Sequence, residues 1–186
     1  MAKASRFAAI AAALVALCGT AWLGYRAWKP APEGWIQFSA PDGTFTILLP
    51  GEPKLEEQEA TSESGKPATT IHFVTAKGLT SHFFCHYWSL SYTPSSETGA
   101  QIAMAGSRDG LIHGLDGNLL SSQASMSDGH YMQTFKATLP DDGILEGRFF
   151  FIGERLYMLS VARPAEQSDE ETQKFFGSFK LSSSNP

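Results

Sequence analysis

Five histidines and two cysteines are the side chains with the broadest chemistry in this 186-residue chain. His82 and His86 stand four apart in a segment that reads as a strand. At about 3.3 Å per strand residue their Cα atoms lie about 13 Å apart, too far for two ligands on one ion. A shared ion would need spacing i, i+2 in a strand or i, i+4 in a helix, so no metal site is expected, although this pair comes nearest to one. With Phe84 and Trp88 the two histidines fall on one face, read as a satisfied or half-exposed aromatic surface. Cys85 falls on the opposite face with Phe83 and Tyr87, and no histidine shares its side. A cysteine so placed is packing rather than a nucleophile. His72, His113 and His130 have no ligand pattern around them.

Gly106-Ser107-Arg108-Asp109-Gly110 lacks the Gly-x-Ser-x-Gly spacing of a nucleophile elbow and lies in a helical pattern, where it reads as helix surface. Asp-Gly pairs beginning at Asp42, Asp109, Asp116, Asp128 and Asp142 lack the alternating carboxylates of a calcium loop and read as turns. Phosphate-cradling glycine patterns are absent. No catalytic or cofactor-binding residue is assigned, no cofactor is expected, and the chain does not read as an enzyme. One charged feature could recognise a protein: Glu52, Glu56, Glu57 and Glu59 form an acidic stretch suited to a basic partner.

The elements that must carry these residues begin with an address. Lys3 and Arg6 precede an uncharged run from Phe7 to Tyr25, and Arg26 and Lys29 follow it. Nineteen helical residues span roughly 28 Å, close to the hydrocarbon thickness of a bilayer. The candidate cleavage site, Gly19-Thr20-Ala21, lies inside the apolar run, so an uncleaved anchor is expected. Leu17 before Cys18 is bulky where lipidation needs a small residue. Basic residues and the α-amino group ahead of the run favour an inside N-terminus, which puts the rest of the chain outside the cytoplasm. Residues 1–29 are the anchor, with its core at 7–25; 30–34, with Pro30 and Pro32, are a stiff tether; 35–181 are one globular domain; 182–186 are a tail.

Four of the 14 Lys and Arg precede Pro30, which leaves ten against all 19 Asp and Glu. That excess of negative charge opposes nucleic acid and anionic lipid as partners of the domain. Cys85 is the domain's lone cysteine, so the fold depends on apolar burial rather than a disulfide.

Trp35–Phe38 and Phe45–Leu49 alternate around Pro41-Asp42-Gly43 and predict a hairpin. Glu52–Gly65 reads as an exposed strand or loop, with a turn at Ser64–Pro67. Thr69–Thr75 and His82–Leu90 read as strands, the second central because of its aromatic residues. Glu97–Leu115 is helical, capped by Ser95 or Ser96, with Ile102, Ala105, Leu111, Ile112 and Leu115 toward one face. Asn118–Met126, Tyr131–Leu139, Ile144–Ile152 and Leu156–Ala162 are strands joined by short turns and therefore antiparallel neighbours. A last helix is expected to start at a capping box of Ser168 and Glu171 and to bury Phe175, Phe176 and Phe179. The fold class is α+β, a mainly antiparallel sheet flanked by helices and preceded by one transmembrane helix.

Trp35-x-x-Phe38, Asp42-Gly43-x-Phe45, Pro50-x-x-Pro53, Arg155-Leu156-Tyr157 and Phe175-Phe176-x-Ser178-Phe179 together resemble the PsbP/Mog1-like family, especially its uncharacterised bacterial membrane-anchored or envelope members. The resemblance spans nearly the whole domain and implies an α/β/α sandwich. It also implies a role in assembly or interaction rather than catalysis, as for a photosystem extrinsic subunit or a small-GTPase binder. No functional residue of those members carries over to this sequence. The leading expectation is a membrane-anchored, extracytoplasmic binding or assembly module, held in the membrane by residues 7–25, with an unidentified protein partner. A small-ligand or metal carrier, with cargo between the sheet and the Glu97–Leu115 helix beside His82, His86 or His113, is the alternative. A hydrolase with an unrecognised site is the third.

Overall fold

A computed structural model describes residues 34–60, 69–90 and 97–182. The expected anchor, most of the tether and tail, the Ser64–Pro67 turn and the Ser95 or Ser96 cap lie outside the described residues. Among those residues no helix is long and apolar enough to cross a membrane.

Strands β1 (Trp35–Ser39) and β2 (Phe45–Pro50) form the expected antiparallel hairpin. Asp42 shapes its turn: one carboxylate oxygen accepts from the Thr44 amide at 3.2 Å and from the Thr44 hydroxyl at 2.7 Å. Gly43 takes φ +70, a conformation that residues with a Cβ rarely adopt. Alternation along β2 buries Phe45, Ile47 and Leu49 completely or nearly so.

Seven further strands make the main sheet: β3 (Lys54–Ala60), β4 (Thr69–Lys77), β5 (His82–Ser89), β6 (Asn118–Ser127), β7 (His130–Leu139), β8 (Gly143–Ile152) and β9 (Arg155–Pro164). Every pairing is antiparallel and the order is β3-β4-β5-β9-β8-β7-β6. Two meanders therefore meet at β5 and β9, and the connection between them carries helix α1 (Glu97–Gly114). β5 is central, as its aromatic content predicts.

The central strands are buried on both faces. Phe84, His86 and Trp88 point to the α1 side, where Phe73, Met104, Leu111, Phe135, Phe149 and Met158 complete one core. Phe83, Cys85 and Tyr87 point the other way, into a core with Phe45, Ile47, Leu49, Tyr157, Leu159 and Phe175. The α+β class holds, but the outer layer on that second side is mixed. Helix α2 (Glu170–Ser178) shares it with a small sheet of order β1-β2-β10, where β10 is Lys180–Leu181. Ser178 joins the two parts by accepting from the Leu48 amide at 2.9 Å.

Three local expectations are corrected. Helix α1 buries Ala100, Ala103, Met104, Ser107, Leu111 and Ile112, while Ile102 is 58% exposed and Ala105 only half-buried. Ile102 stands two residues from Ala100, roughly 200° around the helix, and so points away. Helix α2 starts at Glu170 with Asp169 at its cap, and no side chain bonds there, so the Ser168–Glu171 box does not form. Glu171 instead lies 3.3 Å from Gln167 Nε2 and 3.5 Å from Ser81 Oγ, held by the β4–β5 loop. Asp109-Gly110 is helical rather than a turn, while Asp116, Asp128 and Asp142 take positive φ as turn residues. Phe175 and Phe176 are buried as expected, with Phe179 half-buried just beyond the helix.

Candidate functional site

Among the described residues β3 is an outer strand with one neighbour, β4, and its side chains from Lys54 to Glu57 are exposed. The pleat divides the acidic stretch. Glu57 and Glu59 share the face that carries the hairpin and α2, and Glu56 points to the α1 side. Glu52 stands exposed ahead of the strand. The four carboxylates thus mark one edge of the sheet without converging on a point.

Glu57 is the acidic residue with a structured neighbourhood. Across the register it faces His72, which faces Tyr87, which faces Tyr157, so one rung of the sheet carries all four. Glu57 Oε1 lies 3.1 Å from His72 Nδ1. The His72 ring stacks on Tyr87 with centroids 4.4 Å apart and planes 8° apart, and Tyr87 stacks more loosely on Tyr157 at 6.3 Å. Phe45 closes the inner end, edge-on to Tyr87 at 5.1 Å and to Tyr157 at 5.7 Å.

Arg155 clasps the hairpin turn to this rung. Its guanidinium donates to the Asp42 carboxylate and, at 3.1 Å, to the Thr44 hydroxyl. Burial alone would raise the Asp42 pKa, but the bonds from Thr44 and Arg155 outweigh it and hold the carboxyl below its usual range. Burial likewise opposes the Arg155 charge, and the contributions of Asp42 and Tyr157 together more than offset it. Burial first, and then the charge of Asp42, push the Tyr87 hydroxyl up, so it stays protonated. Chemically, the rung offers an exposed carboxylate beside an imidazole, backed by buried aromatic rings. Such a surface suits binding of a cation or a hydrogen-bond donor.

The other sequence candidates are distributed elsewhere. His82 and His86 share the α1 face with Phe84 and Trp88, as expected. His86, however, is neither satisfied nor half-exposed: it is 1% exposed between Phe73 and Phe84, and its Nδ1 has no hydrogen-bond partner among the described residues. The buried Trp88 Nε1 is also unpartnered. Burial drives the His86 pKa down to about 3; burial and Lys77 drive that of His82 down to about 4. Both are neutral imidazoles near pH 7. His113 is exposed on α1. Among the described residues no group of three or more His, Cys, Asp and Glu is placed to hold a metal ion. Cys85 is fully buried, and burial raises its thiol pKa, which leaves it a packing residue. Ser107 is buried rather than on the helix surface and donates to the Ala103 carbonyl at 3.1 Å.

No family model matches the sequence, and no curated protein does. Solved structures do match in shape, and the likeness to one of them shows a PsbP-like fold. The solution structure of cyanobacterial PsbP (CyanoP) from Synechocystis sp. PCC 6803 aligns over 84% of this chain and 97% of its own, with a TM-score of 0.51 and 11% identity. At that identity the likeness is one of fold. A crystal structure from Bacteroides thetaiotaomicron aligns over 82% of this chain and half of its own, at 13% identity and a TM-score of 0.40, and carries no argument.

Proposed function

We propose that the protein is a membrane-anchored, extracytoplasmic binding or assembly module without catalysis, held in the bilayer by residues 7–25. The observation that carries the reading is the exposed acidic strand β3, whose Glu57 lies 3.1 Å from His72 on a rung of stacked aromatics. An acidic edge suits a basic partner protein. An excess of negative charge in the domain argues against nucleic acid, and the PsbP-like fold is compatible with an assembly role. Replacing Glu52, Glu56, Glu57 and Glu59 together by glutamine removes the charge and keeps the side-chain length. Partner recovery by the tagged full-length protein from crosslinked cells is expected to fall at least about tenfold, since each lost ion pair at a partly desolvated interface costs on the order of 1 kcal/mol or more. Undiminished recovery would remove β3 as the binding surface.

A second reading, a small-ligand carrier, is favoured by the unpartnered His86 Nδ1 and Trp88 Nε1, two buried nitrogens two residues apart on the α1 face. A polar ligand or ordered water placed there would satisfy both. Native mass spectrometry of the full-length protein released from detergent tests it. A stoichiometric added mass above that of a few waters supports a carrier, and bare protein rejects it.

A further inference from the structure

The main sheet has two outer strands of opposite character. β3 carries Lys54, Glu56, Glu57 and Glu59 and is guarded by charge, the usual protection of an open edge. β6, at the other end, has the sequence Asn-Leu-Leu-Ser-Ser-Gln-Ala-Ser-Met-Ser, ten residues without a charge. Nine of the ten are exposed, with Leu119 at 43%, Leu120 at 56% and Met126 at 53%. Among the described residues β7 is its single partner, so the outward amide and carbonyl groups of a long strand stand ready to pair.

We infer that β6 is a homodimerisation edge, on which the β6 of a second copy adds antiparallel to join the two main sheets. Charge selects this occupant. The domain is acidic, so two copies repel over most of their surfaces, and a β3-to-β3 contact would set carboxylate against carboxylate. β6 is the long open edge where a like-charged copy approaches without that opposition. Its own sequence is also self-complementary under a two-fold axis, the isologous arrangement of closed dimers. An axis through Gln123 sets Ala124 opposite Ser122 of the second copy and Met126 opposite Leu120, so exposed apolar side chains meet at both ends. Beyond the strand the same count places Asp128 opposite Asn118 and Asp116 opposite His130, with no carboxylates opposed. The irregularity in the β6–β7 register lies between Leu119 and Ser121, clear of the axis.

Cysteine crosslinking of the full-length chain in mild detergent tests this edge specifically, since association of the anchors alone would also give a dimeric mass. In a Cys18→Ser background, with Cys85 buried, Gln123→Cys places two thiols across the axis. Their Cα atoms fall about 4.5–5.5 Å apart, within disulfide reach. Oxidation is expected to convert most of this variant to a covalent dimer, and at least about tenfold less of a Glu57→Cys control on β3. A second variant adds Ser121→Lys and Ser125→Lys to Gln123→Cys, which sets like charges opposite one another on either side of the axis, and it is expected to cut the crosslinked yield several-fold, more strongly at low salt. The inference is overturned by equal or greater crosslinking at Glu57→Cys, by a Gln123→Cys adduct with another protein in place of a second copy, or by a crosslinked yield that the added lysines leave unchanged.

Discussion

Phe45→Ala is expected to cost about 3–5 kcal/mol of folding stability, the range for emptying a fully buried phenylalanine site. Phe45 has no exposed surface and touches the parts of the molecule that must stay together. Its ring is edge-on to Tyr87 and Tyr157 of the main sheet, and tilted against Phe38 of the hairpin and against Phe179 beyond α2. Truncation therefore leaves a void where the mixed layer meets the main sheet, and it removes several ring contacts at once. Against a total of about 5–15 kcal/mol for an ordinary domain, the loss is a large share. Urea unfolding should show a lower midpoint with an unchanged slope. Phe38→Ala, at a half-buried ring in the same hairpin, should cost distinctly less. A Phe45→Ala loss below about 1 kcal/mol would contradict the packing described for this layer.

The second large effect concerns acid. His86 has an ordinary pKa of 6.5 that burial lowers to about 3 in the folded state. Between those values the unfolded chain binds a proton that the folded chain refuses, so stability present above pH 6.5 is lost as the pH falls toward 3. The loss approaches about 1.4 kcal/mol per pH unit, on the order of 2–3 kcal/mol between pH 7 and pH 4.5. His82 acts in the same direction, less strongly because it is only half-buried. Asp42 adds its loss lower still, since a depressed carboxyl stabilises the fold above its ordinary 3.8 and gives that up as pH falls through the depressed value. The interval from pH 7 to 4.5 therefore isolates the histidines. His86→Leu keeps the site apolar between Phe73 and Phe84 and should remove roughly half of the slope there, with His82 supplying much of the rest. An equally steep slope in the variant would show that His86 is not the buried group responsible.

Much of the fold is legible in the sequence because hairpins carry local signals. Asp42-Gly43 and Asp128-Gly129 sit in turns between alternating segments, and the two faces of β5 follow from counting by twos from His82. Helix α1 resists because its buried face is built from Ala100, Ala103, Met104 and Ser107, small or weakly apolar residues that leave Ile102 as the misleading landmark. The start of α2 is missed because Glu171 bonds outside its own helix, to a loop that no local pattern reveals. The placement of β9 between β5 and β8 is also non-local. The acidic stretch is visible at once, but its division between two faces and the Glu57–His72–Tyr87 stack depend on strand register. Arg155 and Asp42 are 113 residues apart, and neither has a neighbour that announces the other. β6 carries one sequence signal, ten residues free of charge, whose meaning appears only when the strand proves to be an edge.

The central claim, that the domain works by holding a protein partner, is tested most directly by affinity capture. Tagged full-length protein and a control comprising residues 1–34 alone are recovered in parallel from crosslinked cells and compared by quantitative mass spectrometry. The account predicts an envelope protein, basic where it meets β3, recovered in near-stoichiometric amount with the full chain and absent from the control. Identical sets of recovered proteins from the two chains would contradict it.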